Sequence, residues 1–215
     1  MGIIDAIQRV SEGEGVEYLK TYYLAEAGFY TGSEFERIGA EPGVENRFTP
    51  ADLYSVATLG VNVPARAGIA LLESEATKFN GLLADVPSGA KIGSLTEAEF
   101  EQNLGRASKA QDLWDRLRRN GPDESKWHVG STLASKLMAR KRPHLIPIED
   151  SVVNRVIGLG RGDSWRLWWE AFQAEGEYLE VRATKLRAEV GRPELSTLRV
   201  FDVMLWMWGQ ANPSA

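Results

Sequence analysis

Apolar positions recur along this chain at helical spacing, and polar punctuation cuts the pattern into many short segments. Ile3 to Val10 reads as a short amphipathic helix. Val16 to Tyr30 reads as a second, rich in aromatic residues (Tyr18, Tyr22, Tyr23, Phe29, Tyr30). Residues 31–48, punctuated by Gly, Pro and Asn, read as a loop. Thr49-Pro50-Ala51-Asp52 is a helix start, with Thr as N-cap, Pro at the first position and then an acid; this helix should reach about Leu59. Another is expected from Pro64 to about Ser74, and residues 75–93 are mixed, with room for one further turn. Thr96 and Glu99 have capping-box spacing, and the helix they open, broken near Gly105, should end near Asn120-Gly121-Pro122. Further helices are expected near 131–141, 151–159, 163–188 and 195–209. Strand signals are weak. The expected fold is all-α, with short helices packed orthogonally rather than as a simple bundle. The length suits a single domain over 1–215 or two small lobes that share a core.

Composition narrows the function classes. With 43% hydrophobic residues the chain is too apolar for a disordered protein, and it lacks the run of about 18 apolar residues that a membrane span needs. The absence of cysteine excludes disulfides, a thiol nucleophile, an iron–sulfur cluster and thiolate zinc. The two histidines, His128 and His144, are too few to favour a histidine-built metal site, so neither a metal nor a cofactor is expected. The start lacks the basic and apolar character of a signal peptide, and a cytoplasmic monomer is the default expectation. The net charge of −5 is uneven: residues 105–166 carry 13 Lys and Arg against 7 Asp and Glu, whereas residues 1–104 carry 7 against 16. A basic middle is what a local anion-binding face would look like; ordinary helix-surface charge would look the same.

Candidate chemistry concentrates in residues 127–160. Val129-Gly130 reads as a tight turn, and Ser131 is placed to cap the next helix. On that helix Leu133, Leu137 and Met138 make an apolar stripe, and Lys136, Arg140, Lys141 and Arg142 put four cations at or just after it. Pro143 and Pro147 frame an extended connection, after which Asp150 stands at the start of a helix whose apolar face is Val152, Val153, Val156 and Ile157. A helix N-terminus at a Gly turn presents unpaired N–H groups suited to a phosphate.

The stretches His128-Val129-Gly130-Ser131-Thr132-Leu133-Ala134 and Ile148-Glu149-Asp150-Ser151-Val152-Val153-Asn154-Arg155-Val156 resemble the helix-hairpin-helix DNA glycosylase superfamily, endonuclease III-like, over about 30 residues. The family's hairpin reads roughly Gly-Val-Gly-x-x-Thr-Ala, with a catalytic Asp sixteen residues beyond it, the distance from Ala134 to Asp150 here. The resemblance implies a fold of two helical lobes around a groove, 1–30 plus 161–215 against 50–150, acting on double-stranded DNA. Asp150 would then stabilise the oxocarbenium-like sugar and orient or deprotonate the attacking water. The backbone of His128, Val129, Gly130, Ser131 and Thr132 would grip a phosphate, with Lys136 and Arg140 adding charge. Relatives that also cleave the strand carry a lysine where this chain has Thr132, so the resemblance implies hydrolysis without lyase activity. His128 stands where the family has its first hairpin glycine, a position suited to positive φ.

Base extrusion needs a pocket, and Tyr22, Tyr23, Tyr30 and Trp127 are its candidates. Each reading has a plainer counterpart: Asp150 as a helix N-cap, the hairpin as a helix–helix corner, the cations as a solvated face, Trp127 as a packing anchor. Trp165, Trp168 and Trp169 follow helical spacing and read as core, and Trp206 and Trp208 as core or interface. The expectation is a monofunctional DNA N-glycosylase for a damaged or modified base, with phage-modified DNA as one candidate substrate in antiviral defence. A non-enzymatic DNA-binding module and a nucleoside-processing enzyme on the same scaffold are the alternatives.

Overall fold

The computed structural model describes residues 2–24, 30–119, 125–160 and 163–213, and among them every regular element is helical. In order these are α1 (Ile3–Arg9), α2 (Glu12–Leu24), α3 (Pro50–Thr58), α4 (Ala65–Ile69), α5 (Ala76–Ala84), α6 (Glu97–Leu104), α7 (Lys109–Arg118), α8 (Ser131–Lys141), α9 (Ser151–Val156), α10 (Ser164–Glu189) and α11 (Thr197–Ala211). Short 3₁₀ turns occupy Thr31–Glu34 and Ile92–Ser94, and a π turn at Ala70–Ser74 continues α4.

Local chemistry sets the boundaries. Thr49 and Asp52 exchange hydrogen bonds across the first turn of α3, the Asp52 amide donating to Thr49 Oγ1 at 3.3 Å and the Thr49 amide to Asp52 Oδ2 at 2.8 Å. Thr96 and Glu99 do the same for α6. The break expected near Gly105 is present: α6 stops at Leu104, and Ser108 caps α7, which ends with Arg119 in the left-handed region at φ 47°. Asn120, Gly121 and Pro122 lie outside the described residues, as does Phe29. Residues 75–93 hold more helix than the single turn expected, because Phe79 and Leu83, one turn apart on α5, are both fully buried.

One continuous apolar core joins the elements. Helix α11 is its axis, in contact with α1, α2, α9 and α10; α8 is the second interior helix, flanked by α3 and α7. Trp165, Trp168 and Trp169 are buried in this core. Gly209 lets α9 lie close on α11: a Cβ there would stand 2.6 Å from Val152 and 2.7 Å from Val156, inside contact distance. That close approach holds the start of α9, and with it Asp150, over the middle of α11.

The cations at the end of α8 are engaged inside the protein, among them Arg140, which the resemblance made a DNA contact. Residues 35–46 form few regular backbone hydrogen bonds, and buried carbonyls need donors from elsewhere. The Arg140 guanidinium, with only 8% of the side chain exposed, donates to Asp52 Oδ1 at 3.2 Å, to the carbonyls of Phe35 and Glu36 at 2.7 and 2.8 Å, and to that of Ile38. Lys141 donates to the Val44 carbonyl at 3.0 Å and pairs with Asp52 at 2.5 Å. Arg142 donates to the carbonyls of Glu45, Val86 and Leu83 and to Asn46 Oδ1; burial pulls its pKa down to about 10. Three cations that look like a basic surface in the sequence are the struts of an internal loop.

Candidate functional site

Five segments converge on a cavity of about 240 Å³: Tyr22 of α2, Tyr30 to Gly32, Thr58 to Gly60 at the end of α3, Lys136 of α8, and Ile148 and Asp150 before α9, all facing Arg199, Asp202, Val203 and Trp206 on α11. The connector carrying Asp150 is fixed to α8 by the Glu149 amide, which donates to Ser135 Oγ at 2.9 Å. Asp150 is the N-cap of α9, its Oδ1 accepting from the Val152 amide at 3.0 Å. Its Oδ2 accepts from Lys136 Nζ at 3.4 Å, and the same ammonium donates to the Leu59 carbonyl at 3.0 Å. The Lys136 side chain is 4% exposed and that of Asp150 19%, so the carboxylate is the more open member of the pair. One carboxyl group therefore both caps a helix and lines a cavity.

Aromatic rings supply a wall. Tyr22 and Tyr30 stack with centroids 5.3 Å apart and planes inclined by 24°, and Trp206 stands edge-on to both at 6.2 Å. The deeper wall is built on Arg199, which donates through Nε to Glu36 Oε1 at 2.6 Å, through Nη1 to Asp202 Oδ2 at 2.5 Å, and through Nη2 to the Gly32 carbonyl at 2.9 Å and Tyr22 Oη at 3.2 Å. Burial opposes the charge of Arg199, but Glu36, Tyr23, Tyr22 and Asp202 outweigh it and hold its pKa above the ordinary arginine value. Burial also pushes the Asp202 carboxyl up from the usual carboxylate value, against the pull of Arg199. Gly32 admits this arrangement, because a Cβ there would stand 2.0 Å from Tyr22 Oη.

The structure brings Asp150, Lys136, Tyr22 and Tyr30 together and leaves other candidates apart. Lys136 is buried beneath the cavity instead of on a DNA-facing surface, because its ammonium is drawn in by Asp150 and the end of α3. Tyr23 is half-buried and does not line the cavity, with the Arg192 guanidinium 4.8 Å from its ring. Trp127 is buried in the segment before α8, 5.9 Å from Phe79 and covered by Arg119 at 4.0 Å, a packing anchor. Ser131 does not cap α8: Gly130 is the N-cap and Ser131 begins the helix. His128 has φ 59°, the left-handed conformation a glycine would take most readily there. His128 and Gly130 are exposed, Ser131 and Thr132 half-buried, and the Val129 side chain is buried. The first turn of α8 thus leaves amides at an accessible edge. Lys136 stands six positions beyond the N-cap Gly130, about 9 Å along the axis of α8.

Arg199, Asp202 and Trp206 were not anticipated as site residues. A signal exists: Arg199 and Asp202 are the two charged residues of the otherwise apolar Thr197–Ala211 segment, three apart on one face. A larger cavity, about 410 Å³, lies beyond the wall formed by Ile148, Arg199 and Asp202. Its lining cations Arg140 and Lys141 are already engaged by Asp52 and loop carbonyls, and neither Asp150 nor Lys136 lines it. Asp150 and Lys136 line the smaller cavity.

Residues 15–209 match a family of unknown function, DUF6308. The chain belongs to that family. No curated protein and no solved structure matches it. The DUF6308 match runs from the beginning of α2 to Gly209, so it takes in all the cavity-lining residues and the close contact of α9 with α11. Among the described residues no helix is long and apolar enough to cross a membrane.

Proposed function

We propose that the protein is a DNA N-glycosylase that hydrolyses the bond between a damaged or modified base and its deoxyribose, leaving an abasic site. The observation that carries this reading is Asp150 lining an aromatic-walled cavity. In this reaction the N-glycosidic bond breaks with its electron pair going to the base. The sugar becomes oxocarbenium-like, and a water oxygen bonds to the anomeric carbon. Asp150 faces the developing positive charge and takes the water proton, while the departing base gains a proton from solvent. Tyr22, Tyr30 and Trp206 hold the everted ring by stacking and edge contacts. The exposed first turn of α8 grips a backbone phosphate through its amides. The volume of about 240 Å³ lies below the ~300–1,000 Å³ of pockets for drug-sized ligands, which suits one ring system.

Lys136 acts here by orienting Asp150: its ammonium is engaged by that carboxylate and by the Leu59 carbonyl. The reaction is therefore hydrolytic, without strand cleavage. Purified protein incubated with damaged oligonucleotides, phage DNA bearing modified bases and unmodified controls should release alkali-labile abasic sites on at least one modified substrate. Asp150→Asn should lower that activity by about 10²–10⁴-fold. Absence of abasic sites on every substrate would sink the reading.

The burial of Lys136, Arg140, Lys141 and Arg142 favours one alternative, a nucleoside-processing enzyme on this scaffold, since these cations are withheld from a polyanion. DNA affinity that falls with salt supports the glycosylase; hydrolysis of free nucleosides without salt-dependent DNA binding supports the alternative.

A further inference from the structure

Asp202 is a second carboxyl group lining the cavity, and the proposed hydrolysis does not use it. The residue is 8% exposed and lines the cavity beside Arg199. Four of the five N–H donors of Arg199 are engaged by Glu36, Asp202, Gly32 and Tyr22, so the guanidinium orients Asp202. Asp202 Oδ2 accepts from Arg199, and no hydrogen bond reaches Oδ1 from any described residue. The two lining threonines do not donate to a ligand: Thr31 Oγ1 donates to the Thr58 carbonyl at 2.7 Å, and Thr58 Oγ1 to the Ser55 carbonyl at 2.6 Å. Asp150 adds a second set of acceptor oxygens at the other side of the same space.

A buried carboxylate with an unused oxygen rewards a ligand N–H and repels a ligand carbonyl oxygen, because an unpaired polar group in a dry site is costly. An exocyclic amino group meets that demand; the oxygen that replaces it in a deaminated ring does not. We propose, resting on the base-pocket reading above, that this cavity selects amino-bearing bases over their oxo counterparts, with Asp202 accepting the amino N–H. Asp202 is then a specificity-determining residue that touches the base, and Asp150 serves the sugar.

The test is binding, read without turnover. Deoxyadenosine and deoxycytidine are titrated against deoxyinosine and deoxyuridine by ligand-observed NMR, with wild-type protein and with Asp202→Asn. The wild type should bind the amino member of each pair about tenfold or more tightly. Asp202→Asn, which brings a donor to the same place, should erase or reverse the preference while its melting temperature verifies folding. A wild-type preference for the oxo nucleosides, or equal affinity, overturns the proposal without touching the base-pocket reading. So does a preference that a folded Asp202→Asn variant retains. Failure of all four nucleosides and of base-bearing DNA to bind overturns both.

Discussion

Arg140→Gln separates a strut from a phosphate contact. Glutamine lacks the reach and the donors to replace a guanidinium that serves Asp52 and three backbone carbonyls, those of Phe35, Glu36 and Ile38. Asp52 keeps Lys141 at 2.5 Å and its cap bonds to Thr49, so its charge stays compensated. The carbonyls carry the loss. Each polar group left unsatisfied in a buried place costs about 1–3 kcal/mol, and the loop can shift to wet some of them. A net loss of about 3–5 kcal/mol follows, comparable to opening a buried ion pair. For a chain of this size that is a fall in Tm of roughly 6–20 °C. The assay pairs thermal melting with DNA binding by fluorescence anisotropy across a salt series, below the melting range. The expected result is the lowered Tm with an unchanged salt slope. A Tm within about two degrees of wild type, together with a slope of log affinity against log salt reduced by about one, would refute the strut and restore Arg140 as a phosphate contact.

Three further outcomes are expected. Gly209→Ala should destabilise by about 1–3 kcal/mol and lower activity beyond what the stability loss explains, because the new Cβ drives α9 and its N-cap Asp150 away from α11; a melting curve and a rate equal to wild type would remove α9–α11 packing from the account. Borohydride should trap no covalent adduct between the protein and abasic DNA, since the Lys136 ammonium is engaged by Asp150 and Leu59; an adduct that disappears in Lys136→Ala would overturn the purely hydrolytic chemistry. Burial, aided by Lys91 and Arg187, lowers the His144 pKa from 6.5. The folded state therefore binds this proton less readily than the unfolded chain, and stability that is complete above 6.5 falls as the pH drops through the folded value. Denaturant midpoints between pH 7 and pH 5 should show that decline, and His144→Gln should flatten it.

Local sequence carried most of the helix starts. Thr49 with Asp52 and Thr96 with Glu99 cap where their spacing places them, because a capping box is complete within four residues. The stripe of Leu133, Leu137 and Met138 and the tryptophans of α10 are buried as their periodicity requires. Asp150 was legible as an N-cap and as the candidate that faces the cavity, since the turn, the connector and the acid all lie within one stretch of chain. What the sequence could not specify was the direction of long polar side chains. Lys136, Arg140, Lys141 and Arg142 make a basic run by composition, yet their partners are carbonyls and carboxylates from about 14 to 105 positions away in the chain. Asp202 and Trp206 became cavity walls only when α11 was laid against α2 and α9, a choice made by close packing at Gly209 and by the Arg199 network. Caps and periodic stripes are short-range and readable in one pass; cavities and buried charge networks belong to contacts between distant segments, and only the packed chain decides them.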